Sequence, residues 1–162
     1  MDETEYVDCD PGWFCSGGAK TKQPDGEGGN RCPTGHYCEI GTGAPVACAP
    51  GTYNPVEGGV DVAACLACPA NYYCESYGAK DYELCAEGFF CEASEMSSRP
   101  TGKYCPIGHF CTSGRKEACT LGTYQDKVGS VECVRCPAGY KCEVDANGFY
   151  STLAVCGQNH YC

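Results

Sequence analysis

The sequence predicts a small disulfide-rich fold: an elongated tandem array of short β-hairpin and turn modules, with almost no helix and no single hydrophobic core. Three observations carry the prediction. Eighteen of the 162 residues are cysteine. Leu, Ile, Val and Phe together number only 21, below the level at which a charged chain of this length builds an ordinary interior. The cysteines also recur in a fixed frame, and crosslinks of that density replace a core.

The frame is clearest at residues 48–74, CAPGTYNPVEGGVDVAACLACPANYYC, and again at 119–142, CTLGTYQDKVGSVECVRCPAGYKC. Both read C-x2-G-T-Y, a Gly-containing polar loop, C-x2-C, then C-P-A-[NG]-Y-x-C. A match of this length is an internal repeat.

In chain order, two cysteines stand with five residues between them seven times: CDPGWFC at 9–15, CPTGHYC at 32–38, CPANYYC at 68–74, CAEGFFC at 85–91, CPIGHFC at 105–111, CPAGYKC at 136–142 and CGQNHYC at 156–162. The fourth position is always Gly or Asn, the residues that enter the left-handed backbone region most readily. Pro33, Pro69, Pro106 and Pro137 follow the first cysteine and preset a turn. Each unit is read as a tight turn that delivers one or two rings beside a sulfur. Trp13, Phe14, Tyr37, Tyr73, Phe90 and Phe110 are the candidate contact aromatics. Short hairpin strands of two to four residues are expected around the tyrosines, and no window carries a sustained helical stripe.

These units nest in a longer period. A first repeat, residues 1–78, holds Cys9, Cys15, Cys32, Cys38, Cys48, Cys65, Cys68 and Cys74. A second, residues 79–149, holds Cys85, Cys91, Cys105, Cys111, Cys119, Cys133, Cys136 and Cys142. Residues 150–162, with Cys156 and Cys162, begin a third. The connections 16–31 and 92–104 are Gly-, Ser- or Pro-rich surface loops, and residues 75–84 and 143–155 separate the repeats.

Cysteine usage places the chain in an oxidising compartment, secreted or at the cell surface. The opening MDETEYVDCD has no apolar leader, so a mature or internal segment of a longer secreted protein is expected. No run of about 18 apolar residues occurs, so no membrane insertion is expected. The net charge of −10, without a basic stripe, argues against nucleic acid and anionic lipid as partners.

The frame C-x2-G-T-Y-x(n)-C-x2-C-P-x-G-Y-x-C resembles the ephrin-receptor-like, or growth-factor-receptor-like, cysteine-rich repeats. Such repeats occur in animal receptors and in large surface or secreted proteins of protists. The opening C-x2-G-x-Y is also similar to the first loop of tumour-necrosis-factor-receptor modules. The resemblance covers essentially the whole chain and implies disulfide-stapled extracellular rods with no catalytic residues. Cys85 and Cys156 lack the following Pro, and Lys141 replaces the second ring. The receptor loops imply the pairs Cys48–Cys65 and Cys119–Cys133. The other cysteines either close locally within each C-x5-C unit or cross between units, as Cys68–Cys85 with Cys74–Cys91 and Cys136–Cys156 with Cys142–Cys162; sequence leaves both open.

Other chemistry finds little footing. The C-x2-C pairs Cys65/Cys68 and Cys133/Cys136 lack the further ligands of a zinc site and the βαβ frame of a redox motif. His36, His109 and His160 share the slot that other copies fill with Trp13, Tyr72, Phe89 or Tyr140, which marks a stacking position. The stretches around Asp145 and Asp25 are turns rather than calcium loops. Neither cofactor, metal nor enzymatic activity is expected. The expected role is a structural segment of an extracellular filament, coat or wall protein, assembling with copies of itself or neighbouring repeats, with other extracellular proteins or glycans as further partners. The alternative is a ligand-binding receptor ectodomain using Trp13 and the 16–31 loop.

Overall fold

The computed structural model describes residues 7–157. Cys162 and His160 lie outside them. The described chain is a succession of seven two-stranded antiparallel hairpins. They pair β1 (Trp13–Cys15) with β2 (Gly29–Arg31), β3 (His36–Tyr37) with β4 (Val46–Ala47), and β5 (Thr52–Tyr53) with β6 (Leu66–Ala67). Next come β7 (Tyr72–Tyr73) with β8 (Glu83–Leu84) and β9 (His109–Thr112) with β10 (Arg115–Ala118). The last are β11 (Thr123–Tyr124) with β12 (Val134–Arg135) and β13 (Tyr140–Val144) with β14 (Tyr150–Val155). A 3-10 turn, Val62–Ala64, is capped by Asp61, whose carboxylate accepts the Ala63 N–H at 2.9 Å.

The longest hairpin, β13–β14, occupies residues read from sequence as a separator between repeats. Asp145 explains it. Its Oδ1 accepts the N–H of Asn147 (2.8 Å) and of Phe149 (3.1 Å), and the Ser151 hydroxyl donates to Oδ2 (3.3 Å). One aspartate thus closes the turn and sets the register of the strands on either side.

The chain forms two compact units. The first comprises Met1–Pro69, Cys74–Glu83 and Ala93–Met96; the second comprises Ala70–Tyr73, Leu84–Glu92 and Ser97–Cys162.

Eight bridges lie among the described residues. Six close C-x5-C units: Cys9–Cys15, Cys32–Cys38, Cys68–Cys74, Cys85–Cys91, Cys105–Cys111 and Cys136–Cys142. Cys48–Cys65 and Cys119–Cys133 span the Gly-containing loops. Cys156 is also disulfide-bonded.

Sulfur is the interior. No Leu, Ile, Val, Met, Phe, Tyr or Trp among the described residues is buried; the buried apolar side chains are eleven cysteines together with Pro24 and Pro100. A bridge buries apolar sulfur and fixes two chain segments at once, so it supplies both what a core supplies and what chain length costs.

Candidate functional site

The repeated turn is the basic piece of the surface. In the turn at Cys9 the Trp13 N–H returns to the Asp10 carbonyl at 3.1 Å, and in the turn at Cys32 the His36 N–H returns to the Pro33 carbonyl at 3.3 Å. The fourth residue has positive φ in each copy among the described residues, including the non-glycine Asn71 at 77°. Its carbonyl then accepts the N–H of the cysteine that opens the following turn. In the first unit Cys32 donates to Gly12 (2.8 Å), Cys48 to Gly35 (2.9 Å) and Cys68 to Gly51 (2.9 Å). In the second unit Cys85 donates to Asn71 (3.2 Å), Cys105 to Gly88 (2.8 Å), Cys119 to Gly108 (2.9 Å), Cys136 to Gly122 (3.0 Å) and Cys156 to Gly139 (3.0 Å). This recurring contact is backbone to backbone, so it does not depend on which side chains stand outside the frame.

This register shows that C-x2-G-T-Y is the same turn as C-x5-C, with an amide in place of the second cysteine. Asn54 and Gln125 stand where that cysteine falls, and both are buried. The Asn54 side chain donates to the His36 carbonyl (2.8 Å) and accepts the Val56 N–H (3.0 Å). Gln125 donates to the Glu132 carbonyl (2.8 Å) and accepts the Lys127 N–H (3.1 Å). Sequence reasoning passed over both. The signal was the equal spacing from cysteine to glycine in the two motifs.

Rings of the turn pack against the chain. In the slot after the glycine Phe89 lies 4.7 Å from Tyr104 and His109 4.2 Å from Phe149, centroid to centroid; one position later Tyr53 meets Tyr82 edge-on, with centroids 5.1 Å apart. His36 and His109 each place Nδ1 at a backbone carbonyl, that of Thr34 and Ile107. His109 thus stacks on Phe149, and both histidines have Nδ1 engaged by a backbone carbonyl. No cluster of three or more metal-ligating side chains occurs among the described residues.

The six candidate contact aromatics, Trp13, Phe14, Tyr37, Tyr73, Phe90 and Phe110, are all half-buried. Phe90 carries the Lys116 ammonium 4.5 Å from its centroid. Exposed apolar side chains include Val60 and, in β6, Leu66 of the first unit, and Val131 and, in β12, Val134 of the second.

The first unit also holds an open groove of about 540 Å³. Trp13 and Arg31 are cross-strand partners in the β1–β2 hairpin, and the Arg31 guanidinium lies 5.8 Å from the Trp13 ring centroid. The 16–28 loop brings Pro24 and Asp25 to the groove, Pro33 follows β2, and Glu57 comes from the Gly-containing loop. The lining groups Trp13, Pro24 and Pro33 are buried or half-buried, and the polar ones, Gln23, Asp25, Asn30, Arg31 and Glu57, are exposed.

Residues 101–146 match the family described as tyrosine-protein kinase ephrin type A/B receptor-like. The chain is also similar to thyroglobulin of Rattus norvegicus, at 43% identity over 56 residues, which is 34% of this chain and 2% of that protein. Thyroglobulin of Mus musculus matches at 34% identity over 71 residues, 44% of this chain and 2% of that protein. The matched stretch thus spans about 2% of the length of either relative. The chain is a disulfide-rich, cysteine-rich repeat protein with a stretch similar to the ephrin-receptor-like family, and a disulfide density of this kind belongs to an oxidising environment. No helix among the described residues is long and apolar enough to cross a membrane.

Proposed function

We propose that this segment is a structural repeat of an extracellular filament, coat or wall protein. The observation that carries the reading is the docking register: within each unit the opening cysteine of one turn donates its N–H to the fourth-residue carbonyl of the turn before. Such a register extends by adding further turns of the same kind, the property of a nearest-neighbour repeat array. Bridges closed within or beside each turn support the same role, because proteolysis requires local opening and the bridges hold each turn closed.

Assembly with copies of the same protein is part of the proposal. The half-buried rings pack within the units, and the exposed side chains of Val60, Leu66, Val131 and Val134 offer the apolar contact surface. The same kind of patch on successive repeats suits a head-to-tail assembly, which stays open when the rotation does not close.

Negative-stain imaging of native, non-reduced protein, with and without a reductant, tests it. Filaments with an axial repeat commensurate with the modules, lost on reduction, are expected. Discrete particles at every concentration overturn the assembly reading.

A further inference from the structure

We infer that Asn147, followed by Gly148 at the tip of the β13–β14 hairpin, is a site of spontaneous deamidation whose conversion loosens the packing of that hairpin. This goes beyond the structural role and does not depend on it, since the site lies within one unit and involves no assembly contact.

The chemistry needs an asparagine followed by an unhindered amide N–H. The backbone nitrogen of the next residue attacks the side-chain carbonyl carbon, forming a C–N bond. The side-chain nitrogen leaves as ammonia and carries away the proton lost by the attacking amide. Solvent water then opens the cyclic imide at one of its two carbonyls, leaving aspartate or isoaspartate. No oxidant, reductant or enzyme takes part.

Of the five asparagines, Asn147 alone precedes glycine. Asn54 is buried and precedes Pro55, which has no N–H to lose. Asn30 and Asn71 precede Arg31 and Tyr72, whose side chains crowd the attacking nitrogen. The fold adds access. Asn147 and Gly148 are both exposed, and nothing lies within 4 Å of the place a Cβ on Gly148 would take.

The same turn restrains the reaction. The Gly148 N–H donates to the Asp145 carbonyl at 3.0 Å, and the Asn147 N–H donates to Asp145 Oδ1 at 2.8 Å. Gly148 gives up its proton only when its bond opens, so attack proceeds from the locally opened turn. Asp145 therefore sets the rate.

The product no longer fits the turn. Reciprocal bonds close it: the Asp145 N–H donates to the Phe149 carbonyl at 2.9 Å, and the Phe149 N–H donates to Asp145 Oδ1 at 3.1 Å. Isoaspartate inserts a methylene into the backbone between these partners and displaces both bonds. Aspartate instead places a second carboxylate two residues from Asp145, and like charges repel at that range. Phe149 has little room to follow. Its ring lies 4.2 Å from His109, and a Cβ on Gly108 would meet the Phe149 Cβ at 2.6 Å. The next residue, Tyr150, accepts the Gln125 N–H at 3.0 Å. A shift at the tip thus reaches the two turns on which the hairpin packs. The conversion is slow and one-way, so its extent records the age of the molecule.

Disulfide-intact protein is incubated at neutral pH and physiological temperature beside a linear peptide of residues 143–151. Mass-spectrometric peptide mapping follows each asparagine, and an isoaspartate methyltransferase assay counts isoaspartate. Asn147 should convert well ahead of Asn30, at a rate about fivefold or more below that of the peptide. Asp145→Ala should bring the rate close to the peptide's; if that variant fails to fold, the comparison of native protein with peptide still decides. The amide resonances of Phe149, Tyr150 and Gln125 should shift in step with conversion. They should stay in place in Asn147→Gln, whose longer side chain forms the imide far more slowly. The inference is overturned if Asn147 stays intact long after the peptide has converted, or if Asn30 converts as fast. Equal rates in the native protein and Asp145→Ala, or conversion that leaves the three resonances unmoved, also overturn it.

Discussion

Asn54 and Gln125 show how much a single position carries in a protein without an aliphatic interior. Each buried amide satisfies one backbone carbonyl and one backbone N–H where other copies of the turn have a cysteine. Asn54→Ala leaves the His36 carbonyl and Val56 N–H without that partner and is expected to destabilise the native, bridged protein by about 1–3 kcal/mol. The shift in the guanidinium midpoint under non-reducing conditions measures it, and a change at Asn30, exposed on β2, serves as the control. Asp145 gives a second residue-scale prediction. Its pKa is held below the ordinary carboxylate value, first by the Phe149 N–H and then by Asn147 and Ser151, against a weaker opposing effect of desolvation. A folded pKa below the unfolded one gives a contribution that is fully present above the unfolded pKa. That contribution fades as pH falls through the folded pKa. The Phe149 and Asn147 amide resonances should therefore move together with a midpoint below that of a free aspartate. Asp145→Asn should remove that titration.

At the scale of the element, the turn is built around a left-handed fourth residue whose carbonyl docks the next cysteine. Two glycines in this role separate backbone strain from close packing. Gly139 has φ +84° and open space where a Cβ would stand, whereas a Cβ on Gly88, at φ +80°, would meet the Gly129 carbonyl at 2.5 Å. Gly139→Ala is expected to cost only the left-handed penalty of roughly 1–2 kcal/mol. Gly88→Ala adds a backbone displacement and should cost clearly more, with a larger fraction of wrongly bridged protein after oxidative refolding. Equal midpoints for the two variants would mean that the turns do not pack as described. Asn71 adopts φ 77° in the same role, so Gly88→Asn should be milder than Gly88→Ala as regards strain.

At the scale of the molecule, stability rests on crosslinks, and their loops differ in length. Cys48–Cys65 has a sequence separation of 17 and each C-x5-C bridge one of 6. In the chain-entropy picture, removal of the longer bridge costs about 3 kcal/mol and of a short one about 2. Paired alanine substitutions at Cys48 and Cys65, and separately at Cys32 and Cys38, followed by denaturant unfolding, should reproduce that order. Full reduction should abolish the fold, because the buried apolar side chains are cysteines and two prolines.

The composition and spacing of the chain by themselves determined the class: eighteen cysteines against 21 Leu, Ile, Val and Phe leave no other route to order. They also determined the turn, because only glycine and asparagine enter the left-handed region cheaply at the fourth position. The ring slot was legible for the same reason, since a position that accepts Trp, Tyr, Phe or His asks for a flat face and no particular chemistry. The tertiary structure decided what spacing leaves degenerate. Cysteine pairing depends on which sulfurs are brought together, and six C-x5-C units closing locally is one solution among those the spacing allows. The long β13–β14 hairpin depends on a carboxylate that local composition alone reads as an ordinary turn. The equivalence of Asn54 and Gln125 with a half-cystine, and the meeting of Trp13, Arg31, Asp25 and Glu57 around one groove, join residues far apart in sequence. Only folding sets such distances, because they are fixed by the docking of one turn on the next and not by any property of the residues taken singly.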